Sequence, residues 1–131
     1  MPVLVVDVAN VMGSRPDGWW RDRAGAASKL MTTLVPLVGQ DVAAPSDAEP
    51  ATVRIDRIVA VVEGQARKAV APTELEVVPA PADGDSTIVA VAKDVLAGGE
   101  VPLVVTADRG LRERLPSGST IAGPGWLLAL L

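Results

Sequence analysis

Near its start the chain carries Val3-Leu4-Val5-Val6, an unbroken apolar and mostly β-branched run. A strand with one wet face alternates apolar and polar residues. A run with no polar positions must be covered on both faces, as in a parallel sheet sandwiched between helices. The pattern returns in Ile58-Val59-Ala60-Val61-Val62, inside a strand predicted over residues 55–62. It returns again over residues 101–106, where Pro102 sits near the strand's start and is tolerated. Shorter strands are predicted at residues 75–78 and 119–122.

The intervening segments read as helices. One is predicted from about residue 19 to residue 35, with Leu30, Leu34 and Leu37 marking its inner face and Pro36 its stop. Others cover residues 65–70, residues 86–96 (capped by Asp85 and closed by Gly98-Gly99), residues 109–115 (capped by Asp108) and residues 126–131. Strict alternation of strand and helix predicts an α/β fold, with a central, mostly parallel five-stranded sheet and helices on both faces. Residues 39–52 are rich in Pro, Ala, Asp and Ser and read as a long, flexible, exposed loop. The 131 residues fit one domain spanning 1–131.

The chain has no cysteine and no histidine. Disulfides, thiol nucleophiles, zinc–thiolate sites, a Ser-His-Asp triad and histidine zinc sites are therefore excluded. What remains is chemistry by carboxylates, Lys and Arg, hydroxyls, or a hard metal ion. No apolar run is long enough to span a bilayer. The first seven residues lack a basic leader, so a cytoplasmic location is expected. Net charge is −4, yet Arg15, Arg21, Arg23 and Lys29 group near the start and Arg109, Arg112 and Arg114 near the end. A basic rim around an acidic pocket would give the same total.

The acidic residues fall at strand ends. Asp7 ends the first strand, Glu63 the second, Asp83 and Asp85 follow the third, and Asp108 follows the fourth. Right-handed crossovers put all of these ends on one edge of a parallel sheet, where open α/β sheets bind ligands. Asp85 and Asp108 also suit helix N-caps, Asp83 a turn, and Glu63 a first helical turn. Asp7, directly after its apolar run, has no evident capping or turn role. Converging carboxylates repel one another, and an all-oxygen set suits Mg²⁺ or Mn²⁺.

Asp7-Val8-Ala9-Asn10 after a buried strand resembles the D-x-x-N opening of NYN domains, a branch of the PIN-like nucleases. Val61-Val62-Glu63-Gly64 is similar to the family's second acidic strand end. Asp83-Gly84-Asp85-Ser86 resembles its paired-acid start of a helix, and Val104-Val105-Thr106-Ala107-Asp108-Arg109 its (S/T)-x-D ending of strand four. The likeness runs in order along nearly the whole chain. It implies a three-layer PIN-like fold and a metal-dependent ribonuclease preferring single strands. By this likeness Asp7, Asp85, Asp108 and Asn10 carry catalysis, and Asp7, Glu63, Asp83, Asp85 and Asp108 hold the metal. Asn10 is expected to orient Asp7. In two places the chain departs from the pattern: Glu63 stands where Asp is commoner, and Gly84 separates acids that are often adjacent.

Residues 11–23 are also similar to the opening of small actinobacterial proteins, some labelled nucleotide pyrophosphohydrolases. Within them, Trp19-Trp20-Arg21-Asp22-Arg23 offers rings to stack bases and guanidiniums to hold phosphate. Trp19, Arg21, Arg23 and Arg109 are the expected substrate contacts. The leading expectation is Mg²⁺- or Mn²⁺-dependent phosphodiester hydrolysis on single-stranded RNA. The alternatives are nucleotide pyrophosphohydrolysis at the same site and a non-catalytic PIN-like module for RNA or a protein partner, with room for a homodimer.

Overall fold

The computed structural model describes residues 2–15, 17–45 and 51–131. Five parallel strands form the central sheet: β1 (Pro2–Asp7), β4 (Arg57–Val62), β5 (Glu76–Pro79), β6 (Val101–Val105) and β7 (Thr120–Ala122). Their spatial order is β5-β4-β1-β6-β7. The apolar run of β1 is therefore central, paired to β4 on one side and β6 on the other. Its residues alternate between two cores, as a period of two requires. Leu4 and Val6 pack in one with Ile58, Ala60, Val62, Leu103 and Val105, beneath α1 (Val8–Gly13) and α2 (Arg23–Leu34). Val3 and Val5 pack in the other with Val59, Val61 and Val104, under Ile88, Ala92 and Val95 of α3 (Gly84–Ala97) and Leu111 of α4 (Arg109–Arg114). A helix, α5 (Pro124–Leu128), adds Leu127 to the first core. Among the described residues no helix is long and apolar enough to cross a membrane.

Several elements differ from the sequence reading. The first helix after β1 is α1, six residues long, which the sequence reading did not predict. It forms because Val8, Val11 and Met12 share one face and bury against the sheet, while Asp7 caps it. The helix expected from residue 19 begins at Arg23, where Asp22 accepts from the Gly25 N–H. Residues Trp19–Arg21 form a 3₁₀ turn instead, entered through Gly18 at φ +79°, a left-handed angle that favours glycine.

The expected loop over residues 39–52 contains strand β2 (Asp41–Ala43), which pairs antiparallel with β3 (Thr52–Arg54). Val42 and Val53 pair across this hairpin and pack on the first core, which fixes the ribbon. The Trp126 indole N–H donates to Ala43 O at 3.0 Å. Residues 46–50 of the expected loop lie outside the described residues.

Candidate active site

In the sheet order the chain builds outward from β1 through β4 to β5, then crosses to β6 on β1's other side. The strand order reverses between β1 and β6, and beyond the C-terminal strand ends at such a reversal open α/β sheets bind their ligands. Asp7 closes β1 at this point, and Thr106 follows β6 directly beside it. The two side chains meet. Thr106 Oγ1 donates to Asp7 Oδ2 at 3.1 Å and accepts from the Asp108 N–H at 3.1 Å. Both residues are buried, Asp7 at 6% exposure and Thr106 at 0%. One hydroxyl, fully used as donor and acceptor, thus links the ends of β1 and β6.

Asp7 also has a capping role, contrary to the sequence reading: its Oδ1 accepts from the Asn10 N–H at 3.3 Å as the N-cap of α1. The expected contact of Asn10 with Asp7 is made by its backbone N–H and not by its side chain. Its amide oxygen instead accepts from the Ala107 N–H at 2.7 Å, so that side chain fixes the loop after β6. Asp83, and not Asp85, caps α3: it accepts from the Ser86 N–H at 2.8 Å and from the Ser86 hydroxyl at 3.4 Å. The cap falls at Asp83 because only its backbone is extended, at ψ 147°, with Gly84 already helical. Asp85 is left in the first turn. Asp108 caps α4 as expected, accepting from the Leu111 N–H at 3.1 Å.

Electrostatics places these groups in one field. Burial pushes the Asp7 carboxyl up to about 6, with the charges of Glu63 and Asp85 adding to the rise and its hydrogen bonds from Asn10 and Thr106 opposing it. Asp85 is raised by partial burial and by the charges of Asp108, Asp83 and Glu63. The Ser86 hydrogen bonds hold the Asp83 carboxyl below its ordinary value. Arg114 eases both Asp83 and Asp85, and its guanidinium donates to Ser86 Oγ at 3.1 Å.

The sequence reading named neither Thr106 nor Arg114 as a site residue. Thr106 was visible only as the (S/T) of its motif, and Arg114 only as one of the basic residues grouped near the end of the chain. Arg109, the expected phosphate contact, is the exposed first residue of α4. Trp20 is exposed at 53%, Trp19 half-buried, and the two rings meet edge to face at 5.9 Å. The Arg23 guanidinium lies 5.4 Å from the centre of the Trp19 ring and that of Arg21 6.0 Å from Trp20.

The two departures from the NYN pattern explain each other. Glu63 Oε2 accepts from the Gly84 N–H at 2.8 Å, clasping the start of α3. A Cβ on residue 84 would lie 3.2 Å from the Glu63 carboxylate carbon. The longer acid reaches the helix, and the glycine makes room for it. We expect Glu63→Gln, which keeps an acceptor, to leave metal-free stability unchanged or slightly raised. Glu63→Asp is too short to reach and should cost about 1 kcal/mol, seen as a melting temperature lower by roughly 4 °C. Equal melting of the two variants would remove this role.

No protein-family model matches the sequence, and no curated protein matches it. Among solved structures, the chain is similar to Rae1 (YacP) from Bacillus subtilis, crystallised as a point variant. The TM-score is 0.64 at 18% sequence identity, over 99% of this chain and 74% of that one. The fold is PIN-like. At that identity the likeness is one of architecture, and the side-chain chemistry rests on this chain's own residues.

Whether those residues suit a divalent ion can be tested on their contacts. Asp7, Asp83, Asp108 and Glu63 each give at least one oxygen to a hydrogen bond, whereas among the described residues no hydrogen bond holds the Asp85 carboxylate. Among the described residues no three acidic side chains are arranged as a ready-made cage. The donor set is all oxygen, and the charges of Glu63 and Asp85 help to raise the carboxyl of Asp7. This fits a small hard cation that takes one or two carboxylates and completes its shell with water and phosphate oxygens. It does not fit a closed five-carboxylate site.

Proposed function

We propose that the chain is a Mg²⁺- or Mn²⁺-dependent phosphodiesterase acting on single-stranded RNA. The observation that carries this reading is Asp7: a buried carboxylate at the strand-order reversal, pushed up to about 6 partly by two neighbouring acids. A fold seldom gathers like charges in a crevice without a cation to offset them, and perturbed carboxyls in clefts mark functional sites. Asp7 and Asp85 would hold the ion, with Asp108 beside them. Bound there, a divalent ion supplies charge stabilisation for phosphoryl oxygens and a more acidic water.

The chain's own groups do the rest. Thr106 holds Asp7 Oδ2 and the backbone of Asp108 in register. Arg114, beside Asp83 and Asp85, is placed to pair with phosphate. Trp20 exposes a ring with Arg21 beside it, and Arg23 adds positive charge against Trp19, suiting a flexible polyanion with unstacked bases. The PIN-like fold supports the same class of activity.

The test is turnover by purified protein in Mn²⁺ and in chelator, with single-stranded RNA and nucleoside triphosphates as parallel substrates. RNA cleavage should require the metal and fall by about a hundredfold or more in Asp7→Asn. Cut triphosphates with intact RNA would replace this reading with a nucleotide pyrophosphohydrolase. Turnover of neither would leave a binding module for RNA or protein.

A further inference from the structure

A cleft of about 540 Å³ lies between α1 and α2, outside the carboxylate cluster. The half-buried Trp19 gives it an apolar wall, backed by the buried side chains of Val11, Met12 and Leu30. Arg15 and Lys29 bring two positive charges to the lining. Of its two acids, Asp22 is engaged by the Gly25 N–H, and Asp17 is exposed. The volume suits a small organic ligand. The lining suits a molecule that is flat and apolar at one end and anionic at the other, which is the chemistry of a nucleotide. A base can lie against the tryptophan, a phosphate can meet Arg15 and Lys29, and an exocyclic amine can meet Asp17.

The position of the cleft ties it to the cluster. Asp7 caps the near end of α1, and the cleft takes Val11 and Met12 from its second turn. Six helical residues rise about 9 Å, a span of one or two nucleotides in an extended strand. The basic residues Arg21 and Arg23 stand on the same loop–helix junction.

We infer that this cleft is a nucleotide subsite: it takes the base and phosphate of an RNA residue adjoining the one whose phosphodiester reaches the carboxylates. Its place on an RNA strand rests on the ribonuclease reading. Its affinity for a mononucleotide does not, because it needs neither the metal nor Asp7.

The experiment is calorimetric titration of the intact protein in chelator with a nucleoside 5′-monophosphate, the matching nucleoside, and inorganic phosphate. The monophosphate should bind about tenfold or more tightly than either fragment. Lys29→Glu should weaken it by about tenfold or more while leaving the nucleoside unchanged. Asp7→Asn should bind it as the parent does. Equal affinity for monophosphate and phosphate would overturn the inference, as would an unaffected Lys29→Glu. Loss in Asp7→Asn with retention in Lys29→Glu would place the nucleotide at the carboxylates and also overturn it. Metal-independent binding by a protein that cuts no RNA would keep the subsite and remove the ribonuclease. RNA cleavage without mononucleotide binding would do the reverse.

Discussion

In chelator at pH 8, Asp7→Asn should melt at a higher temperature than the parent. Asp7 is raised from 3.8 to about 6 in the folded protein, so folding disfavours its charged form by roughly 3 kcal/mol. The sign follows from the two values. Below about pH 4 the carboxyl is neutral in both folded and unfolded chains and carries no penalty. As pH rises from about 4 to about 6, the unfolded chain ionises first and the penalty grows; above that it is complete. Asparagine removes the charge and keeps an oxygen for the Asn10 N–H. It cannot accept from Thr106 while its amide donates there, so a buried hydroxyl proton loses its partner, at about 1–2 kcal/mol. The net gain of about 1–2 kcal/mol corresponds to roughly 5 °C. Near pH 4 the order should reverse, since only the lost hydrogen bond remains.

Millimolar Mn²⁺ should then reverse the ranking at pH 8. An ion that binds only the folded parent stabilises it by about 3 kcal/mol at a hundred times the dissociation constant. Asp7→Asn should keep little of that. A parent that melts at one temperature with and without Mn²⁺, beside a variant that is merely destabilised, would end the metal proposal.

Thr106→Val should be strongly destabilising for so conservative a change. Valine fills the same space at a fully buried position, so packing is preserved. The loss is polar at both ends: Asp7 Oδ2 gives up its donor, and the Asp108 N–H gives up its acceptor. Two groups left without partners cost about 3 kcal/mol together, or a fall of roughly 10 °C. Thr106→Ser keeps the hydroxyl and should lose much less. If valine and serine melt alike, the hydroxyl does not link the two strand ends.

Much of the framework was legible in the sequence, for a physical reason. Residues 3–6 and 58–62 are apolar at every position, and only a strand covered on both faces tolerates that. The helix α1 was hidden because it is under two turns long, and because its cap, Asp7, looked like a bare strand-end acid. In Asp83-Gly84-Asp85-Ser86 either acid could cap by type; backbone angles decide between them, and these are not written in the residue names. Strand order lay out of reach because it depends on pairings between distant segments. With it went the recognition that Thr106 stands beside Asp7. The hairpin of β2 and β3 was obscured by a composition that favours loops, although Val42 and Val53 supply its buried pair.

The bond between Thr106 and Asp7 spans 99 residues of sequence. During folding, such a contact forms only after a large loop has closed, and closures of this kind are slow. A chain emerging from synthesis displays Asp7 long before β6 exists to sit beside it. The crevice therefore belongs to the late stages of folding. Any chemistry that needs Thr106 and Asp108 beside Asp7 requires the second half of the sheet to have docked.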